Sequence, residues 1–166
     1  MSERTLVVGS LSKSHAMTGS RLGWLIGPKE IISKAIDLAT NMTYGVPGYI
    51  QHAGIFALRK GKEFEQKISK PFNRRQKLAL DILKDFPKLG HIPPQGAMYI
   101  MLDIRSTGMN GMSFAHELLD TEKIAVMPGE SFGESASGHV RISLTLDDEK
   151  FKKTFRTVCN FANNLS

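Results

Sequence analysis

Two short apolar runs near the start of the chain, Thr5-Leu-Val-Val-Gly9 and Leu22-Gly-Trp-Leu-Ile-Gly27, limit its folding more than any other feature. Runs of this length and composition read as strands buried on both faces. Buried strands need hydrogen-bonded neighbours on both edges. A chain of 166 residues, with no comparable run until residue 98, offers few such neighbours. The front of the chain is therefore expected to belong to a larger sheet, and the chain to be the tail of something longer. The length suits one ordinary domain, or one with a small appendage. With 41% apolar and 23% charged residues the composition is that of a globular protein, which excludes a disordered or collagen-like chain. The single cysteine, Cys159, can form neither an internal disulfide nor a cysteine-rich zinc site. With no membrane-length apolar run and no leader-like start, a cytoplasmic location is expected.

The remaining pattern alternates helices with short strands. Ser10 to Ser20 reads as a hydroxyl-rich loop. Pro28 opens a helix with Ile31, Ile32, Ala35, Ile36, Leu38 and Ala39 at helical spacing, ending near Asn41. After a loop at 43–48, a helix covers about Tyr49 to Leu58. A long helix from Glu63 to Phe86 is expected to kink at Pro71. Strands follow at 90–92 and 98–102, then a helix at 112–123, strands at 124–127 and 139–144, and a final amphipathic helix capped by Asp147 or Asp148.

The net charge of +6 is carried entirely by the stretch Arg59 to Lys88, where ten basic residues face four acids. Such a stretch reads as a solvated helix face or as a nucleic-acid footprint. No recognised nucleic-acid-binding motif accompanies it, and nucleic-acid binding is not expected. The five histidines are scattered without metal-ligand spacing and read as structural, so no metal site is expected.

The densest chemical cluster is Ser10-Leu-Ser12-Lys13 followed by Gly19-Ser-Arg21-Leu-Gly23-Trp24. A lysine at the end of a buried strand, desolvated near cations, has a lowered pKa, and its neutral amine forms a Schiff base with an aldehyde. Two hydroxyls and an arginine fork can gather around a phosphate, and Gly19 and Gly23 let backbone approach it closely. An aldehyde that carries a phosphate describes pyridoxal 5'-phosphate.

Ser10-x-Ser12-Lys13 with Gly19-x-Arg21-x-Gly23-Trp24 resembles the cofactor-lysine motif of the class I/II aminotransferases, which share the aspartate-aminotransferase fold. Three further stretches resemble that family in the same order: Pro94-Gln-Gly96-Ala-Met-Tyr99, Val126-Met-Pro-Gly129-Glu-Ser-Phe132-Gly133, and Gly138-His-Val-Arg141-Ile-Ser. Around Ser12-Lys-Ser-His-Ala-Met-Thr-Gly-x-Arg21 the likeness is to bacterial members with broad or basic-amino-acid substrates, arginine–pyruvate types among them. The resemblance implies an α/β fold. Residues 1–45 would be a remnant of the large cofactor-binding domain, 46–86 linking helices, and 87–166 a small α+β domain with a few-stranded sheet. It implies that Lys13 forms the imine with pyridoxal 5'-phosphate and moves the substrate proton. Ser10 and Arg21, with Ser12 as a weaker candidate, would hold the cofactor phosphate. Arg141 would pair with the substrate α-carboxylate. Tyr44, with Gly45 and Pro47, matches the family loop that reaches the neighbouring subunit's active site and would help choose the substrate there, or would form a plain inter-helix turn. Without the resemblance, Arg141 would read as a strand arginine in a structural salt bridge.

Family chains are more than twice as long. The resemblance therefore implies a C-terminal fragment, a homodimer in the parent, and no activity in the fragment alone. The expected function is a transaminase moving an amino group between an amino acid and a 2-oxo acid. The alternatives are a C–S lyase of the same fold and an aminotransferase-like sensor domain of a transcription regulator.

Overall fold

The computed structural model describes all 166 residues and has α/β architecture. It divides into two compact units, residues 1–69 and 70–166. The division falls inside one helix.

In the first unit, β1 (Val7–Ser10) and β2 (Gly23–Ile26) pair antiparallel, with Ser10 opposite Gly23 and Val7 opposite Ile26. A short helical turn, α1 (Leu11–Ser14), and a 3₁₀ turn at Thr18–Ser20 lie between them. Two helices follow, α2 (Lys29–Thr43) and α3 (Gly48–Arg59), joined through Tyr44 and Gly45, which both take left-handed backbone conformations. Leu11 is fully buried, and α3 lays Gly54 against Leu11 and Leu22.

This unit corrects one expectation. The two strands were expected to be buried among other strands. They supply each other's only partner, and Val7, Val8, Leu25 and Ile26 are exposed. The apolar stripe of α2 contains no buried residue; Ile36 and Leu38 face solvent. Both segments have the patterning of elements packed on two sides, and within residues 1–69 nothing covers their outer faces.

The long helix α4 (Gly61–Leu83) runs through Pro71 without interruption. In the second unit it is followed by β3 (Gly90–Ile92), β4 (Tyr99–Asp103), α5 (Gly111–Glu122), β5 (Met127–Pro128), β6 (His139–Ser143) and α6 (Asp148–Asn164). The four strands form an antiparallel sheet in the order β3-β4-β6-β5. Alternation along β4 and β6 places Ile100, Leu102, Val140 and Ile142 on the buried face. Helix α6 meets that face with Phe151, Phe155, Val158, Cys159 and Ala162, a single stripe at helical spacing, and α5 adds Phe114 and Leu118. Of the two acids expected to cap α6, Asp147 does so, accepting a hydrogen bond from Lys150 N at 2.9 Å.

The strand expected at 124–127 is shorter and shifted. Ile124 and Val126 pack against the core outside any strand, and only Met127 and Pro128 pair with β6. In the basic stretch, Arg75 donates to Asp148 at 2.8 Å and to the Leu144 carbonyl at 2.9 Å, and Arg74 also reaches Asp148. Part of that charge is therefore used to fasten α4 to the start of α6. No helix is long and apolar enough to cross a membrane.

Candidate active site

The first cluster is built at one end of the β1–β2 ribbon. Ser10 ends β1 and caps α1, its Oγ accepting a hydrogen bond from Ser12 N at 3.1 Å. Leu11 N donates to the Leu22 carbonyl at 3.2 Å, which ties the turn to the strand across from it. With Leu11 buried beneath, α1 turns Ser12 and Lys13 outward, and Lys13 is exposed. The lysine thus sits on a helical turn rather than at a desolvated strand end, and residues 1–69 do not bury it.

Arg21 adopts a left-handed conformation and donates from Nη1 to the Thr18 carbonyl at 2.9 Å, leaving its other donors free. Gly23 matters because a side chain there would bring Cβ within 2.7 Å of the Gly9 carbonyl oxygen; at Gly19 there is open space. The pairing of Ser10 with Gly23 brings Ser10, Ser12, Lys13 and Arg21 to the same end of the ribbon. No acidic residue lies between Glu3 and Glu30. Neither Lys13 nor Arg21 is in an ion pair, and two cations with two hydroxyls suit a phosphate.

His15 anchors this turn from below. It is 4% exposed, its Nδ1 lies 2.9 Å from Ser14 Oγ, and its ring is 5.9 Å from that of Phe64. Its Nε2 is buried, 3.8 Å from Glu65. This agrees with the structural role expected of it. Tyr44 is 93% exposed at the α2–α3 junction.

The second cluster lies on the outer face of the four-stranded sheet. Alternation puts Tyr99, Met101 and Asp103 of β4 on the same face as His139, Arg141 and Ser143 of β6, with Arg141 opposite Met101. The Arg141 guanidinium carbon is 4.1 Å from the centre of the Tyr99 ring and 4.3 Å from that of Phe132. The acid on this face, Asp103, is occupied. Hydrogen bonds from Arg105 hold its carboxyl below the ordinary value, and His139 Nε2 lies 4.0 Å away. Within residues 70–166 Arg141 has neither an ion pair nor a hydrogen-bonded partner, so the structural salt bridge that a strand arginine would suggest is absent.

One residue in the motifs was missed by the sequence reading. Glu130 Oε1 accepts hydrogen bonds from Gly111 N at 2.9 Å, Gly138 N at 3.3 Å and Ser137 Oγ at 3.3 Å. It fastens the turn that carries Phe132 to the start of α5 and to the residue before β6. Hydrogen bonds from its own backbone N–H and from Gly111 hold its carboxyl below the ordinary value, against the opposing effect of burial. The available signal was an acid directly after Pro128-Gly129, where a tight turn leaves backbone donors unpaired.

Residues 1–158 match the profile of the family described as aminotransferase class I and II. The chain belongs to that family. An arginine–pyruvate transaminase of Pseudomonas aeruginosa is 40% identical over 165 residues, 99% of this chain and 42% of the relative. An aspartate aminotransferase of Pyrococcus horikoshii is 35% identical over 150 residues, 89% of this chain and 38% of the relative. The crystal structure of an aromatic aminotransferase from Pyrococcus horikoshii OT3 superposes with a TM-score of 0.88 at 32% identity, covering 99% of this chain and 43% of that one. The chain thus spans about two-fifths of the length of the relatives it matches. The family's enzymes depend on pyridoxal 5'-phosphate. The donor set at Ser10, Ser12, Lys13 and Arg21 fits its phosphate and aldehyde ends.

Proposed function

We propose that this chain supplies the cofactor lysine and the substrate-carboxylate arginine of a transaminase that moves an amino group between an amino acid and a 2-oxo acid. The observation that carries the reading is the grouping of Lys13 with Ser10, Ser12 and Arg21 at one ribbon end, with no acid between residues 3 and 30 of the chain. Ser10 and Arg21 hold the phosphate, with Ser12 contributing its hydroxyl. Lys13 Nζ would hold the aldehyde end of the cofactor, and its free amine would act as the base that takes the proton from the substrate Cα. When bound, the cofactor supplies the electron sink for that proton transfer. Arg141 receives the substrate carboxylate in a two-point fork, and Tyr44 contacts the substrate from a loop. The relatives' names cover arginine, aspartate and aromatic amino acids, so the reading stays at the level of amino acid and 2-oxo acid. A homodimeric, cytoplasmic parent goes with it. So does the division into a cofactor-domain remnant (1–45), linking helices (46–86) and a small domain (87–166).

Borohydride reduction of the longest natural form of the protein, loaded with pyridoxal 5'-phosphate, tests the assignment. Peptide mapping is expected to place the label on Lys13, and label confined to another lysine refutes it. The 166-residue chain alone is expected to show no turnover, because its four cofactor groups reach only the phosphate and aldehyde ends. Transamination by this chain that Lys13→Ala abolishes would overturn that expectation.

A further inference from the structure

The Arg141 guanidinium carbon lies within 4.3 Å of two aromatic ring centres, those of Tyr99 and Phe132, and no acid orients it. An arginine that binds a carboxylate through a two-point fork must present the edge of its plane in a defined direction. In most proteins a neighbouring carboxylate or carbonyl fixes that plane. The acid on this face, Asp103, is engaged by Arg105 instead. We propose that Tyr99 and Phe132 are positioning residues that hold the Arg141 guanidinium in a fixed plane by stacking, leaving its edge donors free for a carboxylate.

The two rings come from different places. Tyr99 is on β4, diagonal to Arg141 across the β4–β6 pair, where an aromatic side chain reaches a long neighbour. Phe132 ends the 3₁₀ turn Gly129–Phe132, which Glu130 ties to Gly138, three residues before Arg141. The clamp is therefore referenced to β6 from both sides. A stacked ring attracts the cation without using any of its five N–H donors, whereas an ion pair would use two. The substrate carboxylate then meets no competing acid. This inference rests on the reading of Arg141 as the carboxylate-binding residue, and the test separates the two.

The measurement uses the full chain, nitrogen-15 labelled, with the Arg141 Nε–Hε signal identified by its loss in Arg141→Ala. Propionate is the carboxylate probe. In the unsubstituted chain the Arg141 Nε order parameter is expected to exceed about 0.6, the lower edge of restrained motion. Tyr99→Phe and Phe132→Tyr keep the rings and are expected to preserve that value. Tyr99→Leu and Phe132→Leu keep bulk but remove the π face. Each is expected to drop the order parameter below about 0.6 and to weaken propionate binding about fivefold, the loss of one exposed cation–π contact. Phe132 is 47% exposed, so leucine there does not disturb the core and gives the answer even if Tyr99→Leu unfolds. Leucine variants with the restrained order parameter and affinity of the parent chain overturn the clamp. A loss of restraint in Tyr99→Phe also overturns it, because the hydroxyl would then be responsible. If Arg141→Ala leaves the propionate-induced amide shifts of β4 and β6 unchanged, the carboxylate reading fails, while the order parameters still decide the clamp.

Discussion

Replacing Glu130 by alanine removes the acceptor shared by Gly111 N, Gly138 N and Ser137 Oγ. Gly111 and Gly138 are both buried, so their N–H groups lose their partner where water has poor access. An orphaned buried donor costs about 1–3 kcal/mol, with the 3.3 Å bond of Gly138 at the low end. The expected destabilisation is about 2–4 kcal/mol for the two together. For a unit of about 100 residues this lowers Tm on the order of 10 °C or more. Glu130→Gln keeps one oxygen acceptor but loses the charge, and a charge-assisted bond is about twice as strong as a neutral one, so it should fall between. The pH dependence supplies an independent check. The carboxyl of Glu130 is lowered in the folded chain, so its contribution is complete above the ordinary glutamate pKa of about 4.3 and is lost as pH falls through the folded value. Urea melts at pH 7 should therefore separate the unsubstituted chain from Glu130→Gln, and the gap should begin to shrink near the ordinary glutamate value of about 4.3 and close as pH falls through the lower folded value. The assay is far-UV ellipticity against urea. A Glu130→Ala chain within about 0.5 kcal/mol of the unsubstituted one would refute the reasoning, that being the size of a neutral surface change. So would a gap that acid leaves untouched.

Burial pushes the Cys159 thiol up to about 12, so it should resist a thiol reagent at pH 8 until the chain is unfolded; rapid labelling under native conditions would contradict its placement. Phe114 is fully buried and meets Phe161 edge-on at 5.3 Å, so Phe114→Ala should cost about 3–5 kcal/mol in a denaturant melt; a cost below about 1 would show that the core is misassigned. In Gly9→Ala the new Cβ would overlap the Trp24 indole, so the ring must swing away and its emission should shift to the red; an unchanged spectrum would place Trp24 elsewhere.

Much of this was readable from residues alone, because the relevant signals are local. Asp147 or Asp148 before an apolar-periodic run marked the start of α6, the structure choosing Asp147, and Gly90-His-Ile92 marked β3 at its observed bounds. The family followed from four short motifs whose residues carry chemistry, and the profile match confirms it. What was missed depends on contacts distant in sequence. The helical turn at Leu11–Ser14 exists because Ser10 caps it and Leu22 accepts from Leu11 across the ribbon, and neither interaction shows in a hydroxyl-rich stretch. The helical spacing at Ile31 to Ala39 marked α2 but not its burial, because hydrophobic spacing reports what a helix is built to meet, not what meets it within one chain. The β5 segment was misplaced by three residues because β-branched composition at Ile124 and Val126 serves packing as well as pairing. The aromatic neighbours of Arg141 were in the quoted motifs, yet only the strand register and the Glu130 turn join them.

The division of the chain near residue 70 has an experimental consequence. The only tryptophan, Trp24, lies in the first unit and the only cysteine, Cys159, in the second. Each unit thus carries its own natural reporter, and no probe has to be engineered. Following tryptophan emission and thiol accessibility through one denaturant series gives two independent transition curves from one sample. Coincident midpoints would mean that the units melt as one cooperative body. Separate midpoints would measure, through their spacing, how little free energy links them.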